Sequence, residues 1–367
     1  MKNYLVDNSI FLPDDISRLE RGEIISKLLP ANDERDVAVC GLVLIGASPE
    51  IGIKAFHDTM AKENRTSVIE HGNFSDPPKV EDLISMSLDD GDIEDLKTCR
   101  IGNCRVRLSA SMIERFQREI DWTSENYSQR ANKLFREMIH EYVQNYLKSG
   151  DAALIEYGDK RQSLRLQDDQ RSLLEGLHWI NEFAPGFLEY LKAFPKENLR
   201  NVRNSISWTK IKFGLKPVIV FTHTSKFTSE ENGISQIMSV SKQIYASHYF
   251  DSSLGLTALV NFEKNRTGKG SYLFYTNHSR SASLGGVLSK YKHKVVDKEA
   301  IEKIEPLLRS TRTLAEFRSK NETAKANDTE NREAPESSFS GFRLLAALGL
   351  AAVIAVAILI GKKALKT

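Results

Sequence analysis

The sequence predicts an α+β protein. An antiparallel sheet is closed by a long C-terminal helix, a large helical insertion interrupts the sheet, and a transmembrane helix follows. Three observations predict this. Four β-rich runs lie between Val218 and Asn277, separated by turn-forming residues. Residues 111–210 carry apolar side chains at helical spacing. Leu344 to Ile360 reads LLAALGLAAVIAVAILI, without a charged side chain. As a helix that run spans roughly 25 Å, close to the hydrocarbon thickness of a bilayer.

Residues 1–30 read as a polar lead-in and a short helix, with Ile16, Leu19, Ile24, Ile25, Leu28 and Leu29 as its apolar stripe. Asp36–Leu44 (DVAVCGLVL) reads as a strand, with Cys40 as a small buried side chain. Ser48-Pro49-Glu50 opens a helix with an N-cap hydroxyl, proline in the first turn and an acid beside the helix dipole. Ile53, Phe56 and Met60 are its core side chains. Residues 66–110 look irregular, with a short strand at Val68-Ile69 and a turn at Asp76-Pro77-Pro78. The acids between Leu83 and Leu96 lack the order of a calcium loop and suit a helix N-terminus. Cys99 and Cys104 flank a Gly-Asn turn. They can stay free thiols, close a disulfide, or supply two metal ligands.

Helices are expected at Ser111–Ile120, Ser124–Lys148, Asp151–Tyr157, Asp168–Leu177 and Phe187–Phe194. His140 and His178 have no partner at ligand spacing. Strands follow at Val218–Thr224, Ser239–Phe250, Gly255–Phe262 and Ser271–Asn277, forming an antiparallel meander. Gly285-Gly286 breaks the chain before a basic helix with Tyr291, Val295, Ile301, Ile304 and Leu308 on its apolar side. Its first turns, Lys290–Lys298, read as a solvated face or a contact for anionic headgroups. The globular part is expected over 1–317, with its helical insertion at about 81–210. A flexible polar linker follows at 318–341, the span at 342–361 and a basic tail at 362–367.

Composition is that of a globular chain, 41% hydrophobic and 27% charged. A net charge of +2 gives no reason to expect nucleic acid as a partner. Three cysteines are too few for a disulfide scaffold. Residues 1–30 lack the apolar core of a secretion signal, which predicts a cytoplasmic domain and a single-pass, tail-anchored protein. The flanks argue the other way. Lys362, Lys363 and Lys366 follow the span, while Arg332 and Arg343 precede it, which favours a cytoplasmic C-terminus and an external domain. The cytoplasmic reading is adopted.

No H-E-x-x-H, G-x-S-x-G or G-x-G-x-x-G motif occurs. Gly268-Lys269-Gly270-Ser271 joins two strands rather than a strand and a helix, so it is no phosphate loop. No cofactor, metal or catalytic residue is assigned. The densest polar set lies in the meander. Period-two alternation puts Lys242, Ile244, Ala246 and His248 on one face and Gln243, Tyr245, Ser247 and Tyr249 on the other. His223 shares a face with Ile219 and Phe221, and Arg280 follows the fourth strand. His223, Lys242, Tyr245, His248, Tyr249 and Arg280 are therefore the expected lining of a half-polar ligand cavity.

Three strings carry a resemblance: Cys99–Cys104 with Arg105-Val106-Arg107-Leu108, Lys212–Pro217 (KFGLKP), and Ser241–Phe250 (SKQIYASHYF) with Leu254-Gly255-Leu256. On these the chain resembles, over about 20–310, a family of uncharacterised bacterial proteins without an assigned activity. Members of that family look exported, with an N-terminal signal. The order strand, helix, antiparallel sheet, Gly-Gly break and last helix is also similar to the START-like helix-grip fold. That likeness implies a cavity between sheet and last helix. The first expectation is thus a membrane-anchored domain that binds a lipid or other apolar ligand. The alternatives are a protein-interaction scaffold working through residues 111–210, and an enzyme using His223 or His248.

Overall fold

The computed structural model describes residues 11–30, 33–231, 234–261 and 270–328. Helix α1 (Pro13–Glu20) precedes strands β1 (Ile25–Leu28) and β2 (Asp36–Ile45). Helix α2 (Pro49–Asn64) and strand β3 (Val68–Asn73) follow. Then come α3 (Asp90–Thr98), α4 (Ala110–Glu119), α5 (Tyr127–Ser149), the two-residue strands β4 (Glu156–Tyr157) and β5 (Leu164–Arg165), α6 (Leu166–Glu175) and α7 (Phe187–Ala193). The chain returns to the sheet as β6 (Val202–Ile211), β7 (Val218–Glu231), β8 (Ile234–Ala246), β9 (Ser252–Asn261) and β10 (Ser271–Arg280). It closes with α8 (Ser289–Asp328).

Eight strands form one sheet in the order β1-β2-β10-β9-β8-β7-β6-β3, and every neighbouring pair is antiparallel. Both faces are covered. One packs on α2 and α8, with Val39, Val43, Ile237, Leu259, Leu273, Phe56, Val296 and Ile304 in its core. The other packs on the helical block, where α5 contributes Leu134, Phe135, Met138, Tyr142 and Tyr146.

Helix α2 starts as its sequence dictates, with Ser48 Oγ accepting from Ile51 N and Pro49 in the first turn. Two glycines let the helices lie close to the sheet. A Cβ on Gly41 of β2 would meet Ile304 Cγ2 at 2.5 Å and Leu308 Cδ1 at 2.6 Å, so α8 rests directly on β2. A Cβ on Gly52 of α2 would meet Leu259 Cδ2 at 2.3 Å.

Several expectations change. Residues 202–211, placed in the helical insertion, are β6 and belong to the sheet. The helix expected at Asp151–Tyr157 is instead a short 3-10 turn, Gly150–Ala153, and β4. Ile25 and Leu28 lie on β1 rather than on a helical stripe. Helix α8 continues through Asp328, so 318–328, assigned to the linker, is helical. Among the described residues no helix is long and apolar enough to cross a membrane, and the run Leu344–Ile360 lies outside them.

Candidate functional site

A β-bulge decides where the predicted site residues point. Phe221 pairs with Tyr245 and Thr222 with Gln243, leaving Ile244 as the extra residue of β8. Tyr142 Oη of α5 donates to the Ile244 carbonyl. The bulge breaks the alternation read from sequence, so Lys242 and Tyr245 both face the helical block, as does His223.

On that face His223 is fixed on both ring nitrogens. Tyr146 Oη lies 2.7 Å from Nδ1 and Asn204 Oδ1 lies 3.0 Å from Nε2. Burial, and then the nearby Lys242 ammonium, hold its pKa well below the usual imidazole value. The ring is neutral, so Tyr146 donates to Nδ1 and Nε2–H donates to Asn204. Lys242 pairs with Asp151. Burial lowers the Lys242 pKa and Asp151 opposes that shift. Leu174, Leu191, Phe194 and Val240 surround His223 and Lys242, and the void between these side chains is about 10 Å³. That volume is too small for a lipid. Tyr245 Oη donates to the Arg107 carbonyl at 2.9 Å.

The other three candidates lie elsewhere. His248 Nε2 sits 3.0 Å from both Asp92 oxygens, and Lys216 also reaches Asp92. Burial alone would raise the Asp92 pKa, but His248 and Lys216 bring it below the ordinary carboxylate value. Tyr249 has φ 58°, in the left-handed region, and its hydroxyl accepts from the amides of Leu215 and Lys216. Arg280 bridges Asp36, at 2.6 and 3.0 Å, and Asp169, at 2.6 Å. The six residues therefore do not line one cavity. The two imidazoles considered for catalysis share no partner. Cys99 and Cys104 are joined in a disulfide, and Cys40 is free and buried.

The opposite face of the sheet carries a feature the sequence reading missed. Side chains that alternate with its apolar residues form adjacent polar rows. Thr224 pairs with Ser241, Ser241 with Gly255, and Gly255 with Asn277. Ser239 pairs with Thr257, Thr222 with Gln243, and Ser253 with Ser279. Thr222, Ser239, Gln243, Ser253, Thr257, Asn277 and Ser279 are all buried. Some satisfy one another, as Ser279 Oγ does by donating to Asn277 Oδ1 at 2.7 Å. Gln243 does not. The residue is 2% exposed, and among the described residues neither Nε2 nor Oε1 has a hydrogen-bond partner. The signal was present in the sequence as Ser239-x-Ser241-x-Gln243 and Thr222-x-Thr224. Only strand register shows that these polar positions adjoin.

The same core holds apolar side chains of the elements facing this floor: Phe56 and Met60 of α2, Val296 and Ala300 of α8, Leu284 and Phe250. Phe56 packs on Tyr275 with centroids 5.2 Å apart. At the floor's outer row, Lys226 pairs with Ser239. His57 of α2 lies near Lys226, and burial, then that ammonium, lower its pKa to about 4. Inside that outer row, the arrangement offers neutral donors and acceptors below and hydrocarbon above. The helical block carries a separate open groove of about 1030 Å³, lined by Arg115, Glu141, Asn145, Lys160 and Arg161 among others.

No protein-family profile and no curated protein matches this chain. Among solved structures it is similar to human STARD10, at 9% identity and a TM-score of 0.32, over 87% of this chain and 82% of that one. At that level too little geometry is shared to transfer fold or function.

Proposed function

We propose that this chain is a binding module for an amphiphile, held against the polar sheet floor beneath α2 and α8. The observation that carries the reading is Gln243. A buried amide with both atoms unpaired costs about 1–3 kcal/mol per group, unless a complementary donor and acceptor meet it. It sits among buried Ser, Thr and Asn side chains on a face otherwise covered by hydrocarbon. A ligand with an apolar body and a hydrogen-bonding head fits that chemistry. The site lies beside the crossing of α8 over β2, not under it, because Gly41 closes that crossing. We further propose that Leu344–Ile360 tethers the module to a membrane, where such ligands reside.

The test uses the full chain in detergent. Native mass spectrometry and solvent extraction should recover a bound amphiphile, and displacement of an apolar fluorescent probe should report the same site. Gln243→Leu and Ser239→Val should weaken binding about tenfold or more, the scale of losing hydrogen bonds in a dry site. Absence of any extracted ligand together with no probe binding overturns the proposal.

A further inference from the structure

The turn before α8 is shaped for a different contact. Val287 is fully exposed, and Leu288 and Tyr291 are each more than half exposed, at 52% and 54%. Gly286 sits at φ +87° with nothing within 4 Å of a Cβ position, so the turn projects into open space. The turn is also braced. Lys292 Nζ donates to the carbonyls of Ser283 and Gly285, and Gly286 N donates to Glu34 Oε1. Behind the apolar tip, Lys290, Lys294 and Lys298 are exposed. The acids nearby are largely engaged: Glu34 holds Gly286 N, Asp297 faces His293, and Glu302 faces Lys298. Among the described residues, neither Lys290 nor Lys294 is seen in an ion pair.

Two aliphatic side chains at the tip, a tyrosine beside them and lysines behind match the depth profile of a bilayer: hydrocarbon, interface, anionic headgroups. An acidic protein would satisfy the lysines but gives no reason for the outermost side chains to be valine and leucine. We infer that Val287, Leu288 and Tyr291 insert into an anionic bilayer surface while Lys290 and Lys294 contact its headgroups. The turn follows β10 closely, at the sheet end that carries Ser279 of the polar floor. A module docked there would hold that end of the floor toward the lipid. The inference stands on exposed residues alone. It requires neither the amphiphile site nor the run Leu344–Ile360.

Val287→Cys supplies an accessible thiol, since Cys40 is buried and Cys99 is bonded to Cys104. The full-length variant is labelled there with a polarity-sensitive dye. It is then placed in detergent, in phosphatidylcholine vesicles, and in vesicles that also contain phosphatidylserine. An Ile84→Cys variant, labelled on the exposed surface of the helical block, is the reference. The expected result is a blue-shifted dye at position 287, quenched by lipid-borne quenchers, chiefly when phosphatidylserine is present. The Ile84 label should stay in water. Lys290→Gln and Lys294→Gln should each lower the docked-to-undocked ratio about fivefold at low salt. A position-287 dye that stays water-exposed on both vesicles overturns the inference. So does one matched by the Ile84 label. Equal insertion with and without phosphatidylserine overturns the headgroup role of the lysines. None of these outcomes depends on whether Gln243 binds a ligand.

Discussion

Tyr146 Oη of α5 lies 2.7 Å from His223 Nδ1 of β7, and this contact commits His223 to the interface with the helical block. The ring is buried and neutral, while the same ring in the unfolded chain binds a proton below about pH 6.5. The folded pKa is depressed, so the unfolded state binds more protons as pH falls. Stability from this group is full above about pH 6.5 and declines below it, by at most about 1.4 kcal/mol per pH unit. His57, lowered to about 4, acts in the same direction. Denaturant unfolding from pH 7.5 to 5 should show the decline. His223→Gln should be less stable at pH 7.5 but have a shallower slope, and an unchanged slope would refute the assignment.

Arg280, Asp36 and Asp169 form a buried ionic cluster, with His278 3.1 Å from Asp36. Burial alone would raise the Asp36 pKa, but Arg280 and His278 bring it down to about 2. Its contribution is therefore present above about pH 4 and lost as pH falls toward 2. Arg280→Met removes the guanidinium shared by two buried carboxylates, leaving Asp36 only His278 at 3.1 Å and Asp169 only Arg35 at 3.3 Å, and should cost about 3 kcal/mol. Equilibrium unfolding at neutral pH measures this directly. A loss below 1 kcal/mol would show that the cluster is not formed as described.

The Cys99–Cys104 disulfide closes a short loop between α3 and α4. For a loop this small the chain-entropy relation gives about 2 kcal/mol. Cys99→Ser/Cys104→Ser should lower stability by that amount. The non-reduced wild-type chain should show no fast-reacting thiol, because burial raises the Cys40 pKa to about 12. Rapid labelling of two thiols without reductant would contradict the pairing.

Gly41→Ala tests the seat of α8 on β2. The new methyl meets Ile304 Cγ2, which is fixed by its own branched Cβ and cannot swing aside as a Leu308 tip can. The expected cost is about 1–3 kcal/mol, read from urea midpoints. A neutral outcome would mean that α8 is not held against the sheet there.

Gln243→Leu separates binding from folding. Removing an unpaired buried amide at nearly constant volume should stabilise the ligand-free chain by about 1–2 kcal/mol while it weakens binding about tenfold or more. A destabilised, non-binding variant would instead point to a structural role for Gln243.

Much of the fold was legible in the sequence. The strand at Asp36–Leu44, the start of α2 at Ser48-Pro49, the hairpin-rich region after Val218 and the glycine break before α8 each depend on local chemistry. β6 was not legible as a strand. Its sequence, VRNSISWTKI, directly follows the helical block, and its polar first half hides the half buried in the sheet. The candidate site was legible only as a list of polar residues. Alternation says which neighbours share a face, and it holds only until a bulge. Ile244 is such a bulge, so His223, Lys242 and Tyr245 were grouped correctly as strand residues but placed around the wrong cavity.

The sequence by itself determined the strand at Asp36–Leu44, the cap of α2, the longer helices of the block and the strands after Val218, because helix and strand periods and turn residues act over a few positions. It also determined an apolar run long enough for a span, at Leu344–Ile360. Tertiary structure alone decided that Cys99 bonds Cys104, that Lys242 meets Asp151 across 91 residues, and that Ser, Thr, Asn and Gln from four strands adjoin. The physical reason is that both faces of this sheet are buried. Apolar side chains then occur on both sides of each strand, and the pattern that would mark an inner face is erased. Only register between strands shows which polar groups meet.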